Sequence, residues 1–353
     1  MSPFIILFIL AILYLCSKPR FRLYVERDGM YLSRSWTALI NAFFITLVVC
    51  SHGLNLFQTS ICDFFPEKCT AIAISRFGQL MVTTFFFYSG YGIMYSLLNR
   101  EGYCNKLLFP RFVQLCLNYM IAVLIYFGVH CLLLQDIRAE DFLGGLHDFR
   151  ALGNPTWFIL MTLLTYILTW LAFKTAGTKY PMAAVGILTA MLLISIQIVG
   201  MHKPVHWVNT ILCLPAGMLY FLKGRQMEEF LKNARVPGII GGGALLLAGY
   251  FIYRGASVYT QNIGGILFAV GVTWFAGSFT WNTPSKLLIW LGGSGLFVVY
   301  MFHLLPMRIM SHLELNHGNP YLVWLTSIGF TCILAAAANV IYSRISRTLF
   351  SRQ

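Results

Sequence analysis

Apolar stretches of about 20 residues, enough for one helical crossing of a bilayer, recur along the whole chain. They lie at 36–57, 79–98, 112–134, 156–173, 181–200, 205–222, 237–253, 261–280, 286–305 and 320–342. A helix is the one single-segment structure that pairs all of its own backbone polar groups inside lipid. The pattern therefore predicts an all-α polytopic membrane protein with about ten core transmembrane helices. Composition agrees. The chain is 58% hydrophobic and 10% charged, against about 25% charged in a soluble domain. A shorter apolar run, Pro3 to Cys16, comes before the basic stretch Lys18 to Arg27. A signal peptide carries its charge ahead of the apolar core, so this order does not fit one. Residues 1–35 read as a short N-terminal apolar helix with a basic linker, 36–343 as one membrane domain and 344–353 as a basic tail.

The net charge of +13 would suggest nucleic acid in a soluble domain. Here the cations sit in short connections between apolar runs, including Arg20, Arg22, Arg100, Lys106, Arg111, Lys174, Lys179, Lys223 and Arg225. Those connections alternate with loops such as 135–155, which holds Asp136, Glu140, Asp141 and Asp148. The alternation places both ends of the core in the cytoplasm and the protein in a plasma (inner) membrane, with lipid as a partner and no nucleic acid. Most of the nine cysteines fall within apolar runs, where they act as small hydrophobes. No CxxC pair occurs, so no metal site is expected. Cys62 and Cys69 share one loop; they are either a disulfide or two loop thiols.

Ionisable residues within a span are costly, so a functional role is the default reading of them. His52, in ITLVVCSHGLNLF, is the foremost example. Histidine is also the side chain best suited to proton transfer near neutral pH. His303, in YMFHLLP, ends a later span, and His130 reads as structural. In FFFYSGYGIMYS the small residues Ser89, Gly90 and Gly92 suit close helix packing or a helix break beside a cavity. Ser89 has no nucleophile-elbow flanks. Lys106 and Arg111 stand at a basic span entry, suited to anchoring or to anionic phosphates. Trp157 reads more readily as an interfacial anchor than as a catalytic group.

Together these pieces resemble the acyltransferase 3 family of integral membrane acyltransferases. The resemblance rests on five motifs in order: LVVCSHGLN, FFFYSGYGIMYS, YCNKLLFPRFVQLCLNYMIA, NPTWFILMTLLTYI and LGGSGLFVVYMFHLLP. It runs from about Trp36 to Tyr342. It implies transfer of an acyl group, usually acetyl, from coenzyme A to a carbohydrate hydroxyl, with acetyl-CoA as a substrate and no resident cofactor. The acceptor would be a cell-surface or lipid-linked glycan. His52 would be the catalytic base or a transient acyl carrier, and Lys106 and Arg111 would hold the donor phosphates. Ser89, Tyr91, Trp157, Tyr300 and His303 would line the cavity. Two departures stand out. Asn41 occupies the place, eleven positions before the histidine, where the family usually has Arg or Lys, and Gln114 stands where a second Arg is common. Arg111 is one candidate for the missing charge. A glycan or lipid-carrier transporter, with helices broken by the glycines around 238–243, 264–265 and 292–295, is an alternative. A catalytically inactive relative is another.

Overall fold

The computed structural model describes residues 32–56, 77–134, 157–232, 235–279, 281, 285–313 and 320–350. The N-terminal apolar run, the Cys62–Cys69 loop and the acidic loop 135–155 lie outside the described residues. Every element among the described residues is helical. In chain order these are α1 (Arg34–Leu56), α2 (Leu80–Asn99), α3 (Tyr103–Lys106), α4 (Val113–Val129), α5 (Trp157–Ala176), α6 (Pro181–His202), α7 (Cys213–Lys232) and α8 (Arg235–Tyr253). They continue with α9 (Val258–Gly277), α10 (Lys286–Leu291), α11 (Leu296–Phe302), α12 (Leu304–His312) and α13 (Pro320–Phe350).

Among the described residues, five stretches are long and apolar enough to cross a membrane: Arg34–Gly53, Tyr103–Leu133, Trp157–Ala176, Pro181–His202 and Val236–Tyr253. Shorter apolar helices cover Leu296–His312 and Thr326–Tyr342. The chain is a polytopic membrane protein. α2 is also 20 residues long, yet its Thr, Tyr, Ser and Gly make it less apolar. The reason is its position. It packs against α1, α7 and α9, and Leu80, Met81, Phe86, Phe87, Ile93 and Met94 are fully buried. A helix surrounded by protein has no lipid-facing surface to keep apolar, so polar and small residues are tolerated there.

Two expected spans differ in detail. The run 205–222 is not one helix, because α7 begins only at Cys213. The buried amide of Asn262 serves the irregular backbone before it. Its Oδ1 accepts from Leu212 N at 3.0 Å and its Nδ2 donates to Val208 O at 2.9 Å. Non-helical backbone survives inside a membrane protein where protein groups satisfy it in this way. The run 286–305 is also broken, into α10, α11 and the start of α12.

The glycines separate by context. α8 and α9 run unbroken through 238–243 and 264–265, against the expectation of broken helices. Those glycines let two backbones touch. A methyl group on Gly242 would lie 2.6 Å from Phe275 N, and one on Gly264 would lie 2.7 Å from the carbonyl oxygen of Gly249. The third cluster does interrupt its helix, since the turns at 292–295 separate α10 from α11. There Gly292 rests on the backbone of Ala38 and Ala42 in α1.

Candidate active site

α1 starts where Ser33 accepts the amide of Trp36 at 3.2 Å, a hydroxyl satisfying one orphan donor of the first turn. The helix then runs without a proline to its far end, where it carries His52, half-buried. There it meets the junction of α11 and α12. The centres of the His52 and His303 rings are 5.0 Å apart, with the ring planes at 56°.

The junction exists because Pro306, one turn past Phe302, has no N–H to give the Phe302 carbonyl. A tyrosine from α4 completes the break. The Tyr126 hydroxyl donates to Met301 O at 2.8 Å and takes a hydrogen bond from the Leu305 backbone amide. It thus stands in the place of the direct Leu305-to-Met301 helical bond. An inserted side chain of this kind is a recognised cause of kinks. His303 lies between those two residues. Its Nδ1 is 2.8 Å from Tyr300 O and 3.2 Å from Val299 O. Carbonyls only accept, so the proton of the neutral ring sits on Nδ1 and the lone pair on Nε2. Nε2 is buried and has no hydrogen-bond partner among the described residues. Tyr126→Phe deletes both hydroxyl bonds. It is expected to cost about 1–3 kcal/mol, read as a lower thermal unfolding midpoint in detergent, with a fall in kcat at little-changed KM.

A row of rings leads away from the pair. Tyr300 is 6.0 Å from His303 and 5.1 Å from Phe158. Phe158 adjoins Trp157 on the first turn of α5. Trp157 is only 6% exposed and meets His206 edge-on at 6.1 Å. It is therefore a buried part of this row rather than an interfacial anchor, because the backbone at 205–207 folds over it.

Ser89 and Arg111 gather elsewhere. Phe109, which precedes a proline, has extended backbone (φ −136°, ψ 108°), as pre-proline residues prefer. The kink puts Arg111 over the Tyr103 ring at 5.0 Å and within electrostatic reach of Tyr166, which is hydrogen-bonded to Ser89. Tyr91 packs edge-on against Phe221 at 5.2 Å, and Lys106 is exposed. The structure thus joins His52, His303, Tyr300 and Trp157 in one row. It places Ser89 with Arg111 in a second cluster, and leaves Tyr91 and Lys106 in neither. Among the described residues no cation contacts either imidazole. No three His, Cys, Asp or Glu side chains come together there to hold a metal. Tyr126, Phe158 and Tyr166 went unnoticed in the sequence, where nothing distinguishes them from other aromatics in apolar runs.

Asn41 is eleven residues before His52, three turns along the same face and about 16 Å away. A cation there would not touch the imidazole either. Its Oδ1 is buried without a hydrogen-bond partner among the described residues.

A family model described as an acyltransferase domain matches residues 35–343. Comparison with curated proteins and with solved structures finds no match.

Proposed function

The chain belongs to the acyltransferase 3 family and is an acyl-transferring membrane enzyme, and from that premise we propose that it moves acetyl from acetyl-CoA to a hydroxyl of a cell-surface or lipid-linked carbohydrate. The carrying observation is the meeting of His52 with His303 at the α11–α12 break, 5.0 Å between ring centres. His52 takes the proton of the acceptor hydroxyl as that oxygen attacks the thioester carbonyl. The carbon–sulfur bond then breaks, and the departing thiolate of coenzyme A takes the proton from the His52 imidazolium. Acetyl and proton have exchanged places and the histidine is restored.

His303 serves as the orienting group. With its Nδ1 proton tied to the Tyr300 carbonyl, its Nε2, unpaired among the described residues, is placed to accept one N–H of His52 when a turn of the half-buried His52 ring aligns the two. That leaves the lone pair of His52 on the opposite nitrogen, facing substrate, an arrangement general bases commonly use. Tyr300 beside the pair, backed by Phe158 and Trp157 farther along the row, forms an apolar wall that excludes water that would hydrolyse the thioester. Arg111 and Lys106 lie near the entry of α4 and hold phosphate of the donor. The basic connections support a cytoplasmic side for that entry and for both ends of the core, in a plasma membrane.

The test is the ester content of the glycan. Surface and lipid-linked carbohydrate from cells with and without the gene is analysed for alkali-labile acetate. Loss of O-acetyl on deletion and its return on complementation are expected. Unchanged acetate with a different acyl group lost would reject acetyl, and an unchanged glycan would reject the carbohydrate acceptor.

A further inference from the structure

A groove of about 310 Å³ opens between the first turns of α1 and the α10–α11 junction, lined by Arg34, Thr37, Lys286, Trp290, Ser294 and the backbone at Gly292–Gly293. We propose that this groove is a phosphate-binding site and that it takes a phosphate-bearing end of the acyl donor. The inference rests on the acyl-CoA reading above. It adds a place for the donor that the family motifs do not point to.

Three observations carry it. First, the charge is of one sign. Arg34 and Lys286 come from separate elements, both are exposed, and among the described residues no acidic side chain lines the groove. Neither cation is in an ion pair among the described residues. A guanidinium and an ammonium beside a hydroxyl and an indole are the side chains a phosphate ester with an attached ring would use. The volume is that of a small-molecule site, about 300 Å³ at the lower end.

Second, the groove is built by the fold and not by chance proximity. Gly292 lies directly on the backbone of Ala38 and Ala42, where a methyl group would collide. That contact fixes the α10–α11 turn against α1 and so sets Lys286 and Ser294 beside Arg34.

Third, the groove stands at one end of the helix that carries His52 at the other. Arg34 and His52 are eighteen residues apart on one unbroken helix. Eighteen residues are five full turns, so the two share a face about 27 Å apart, close to the roughly 30 Å of a hydrocarbon core. Asn41 lies on that same face, one turn beyond Thr37 and Ala38. Its Oδ1 is buried and unpaired among the described residues. An unpaired buried acceptor is costly, and the pantetheine arm of coenzyme A carries two amide N–H groups that can satisfy it. Phosphate in the groove, an arm amide at Asn41 and the thioester at His52 fall in order along one helix face. Asparagine where relatives carry a cation is then a change of contact, from charge to amide. The donor bears phosphate at two places, a diphosphate and a ribose phosphate, so this groove and the Lys106–Arg111 entry are not redundant.

A phospholipid headgroup offers the same chemistry, and the experiment separates the two sources. The full chain is purified in a non-ionic detergent, and affinity is measured for coenzyme A and, separately, for short-chain phosphatidylglycerol. This is done in the wild type, in Arg34→Gln/Lys286→Gln and in the charge-conserving Arg34→Lys/Lys286→Arg. Both positions are exposed, so all three proteins should elute as one monodisperse species. The expected result is at least a tenfold loss of coenzyme A affinity in the glutamine pair. The loss should shrink as salt is raised and be largely absent in the charge-conserving pair. A loss confined to phosphatidylglycerol overturns the donor assignment and makes the groove a lipid site. Unchanged or absent binding of both probes overturns the groove altogether. Acetyl transfer by the wild type is followed in parallel. If it transfers acetyl while the glutamine pair binds coenzyme A normally, the groove fails and the enzyme reading stands. If the affinity loss appears but another acyl group is transferred, the groove stands and the acetyl assignment fails.

Discussion

His52→Ala is expected to lower acyl transfer by about 10²- to 10⁴-fold, the usual contribution of a positioned general base, with the protein still abundant and monodisperse. His52 is half-buried at the far end of a long helix, and among the described residues it has no hydrogen-bond partner whose loss would unfold the site. His303 differs, being fully buried and tied to the Tyr300 carbonyl. Substituting it would disturb the α11–α12 break as well as the chemistry. The His52 variant is therefore the cleaner probe. Acetate transferred from labelled acetyl-CoA to glycan, normalised to membrane protein, is the measurement. A variant that kept more than about a tenth of wild-type activity would rule out a base worth even the lower 10²-fold, and would make His303 Nε2 the better candidate.

Gly90→Ala is expected to destabilise the protein by about 1–3 kcal/mol or more, as overpacking a close contact does. Gly92→Ala should be neutral or slightly stabilising, by up to about 1 kcal/mol, since alanine is the better helix former. The two glycines are two residues apart in SGYG, yet their surroundings are opposite. A methyl group on Gly90 would run into the Leu214 carbonyl of α7, and one on Gly217 of α7 into the Phe87 carbonyl of α2. Around Gly92 there is nothing within 4 Å. Forcing α2 and α7 apart would also strain the edge-on contact of Phe87 with Tyr220 and the hydrogen bond of Tyr88 to Thr273. Thermal unfolding of the two purified variants in one detergent gives the comparison. Equal midpoints would mean that the α2–α7 contact is not as close as described.

Much of this protein is legible from its residues one at a time. Helix in lipid is dictated by backbone hydrogen bonding, so apolar run lengths marked out a polytopic helical protein, and five stretches among the described residues meet that standard. α2 shows the limit. It is as long as the others but buried, and a run of Tyr, Ser, Gly and Thr does not announce whether it faces lipid or protein. The interruptions show it as well. Gly264 and Gly265 sit in a continuous helix, whereas the turns at 292–295 break one. Glycine permits both outcomes, and the neighbouring helix decides which is realised.

His52 stood out in the sequence because an ionisable group in an apolar helix is costly wherever that helix goes. Its pairing with His303 did not, because the two lie 251 positions apart and only folding sets their rings side by side. The same holds for Tyr126, whose hydroxyl matters only because Met301 and Leu305 flank a break, and for Lys286, which lines one groove with Arg34 only because Gly292 admits α1. The sequence alone determined the helices, the membrane and one chemically costly residue, since those follow from local hydrogen bonding and transfer free energy. Which residues face one another was decided by the tertiary structure, because proximity between distant segments depends on how helices pack and not on what any one of them contains.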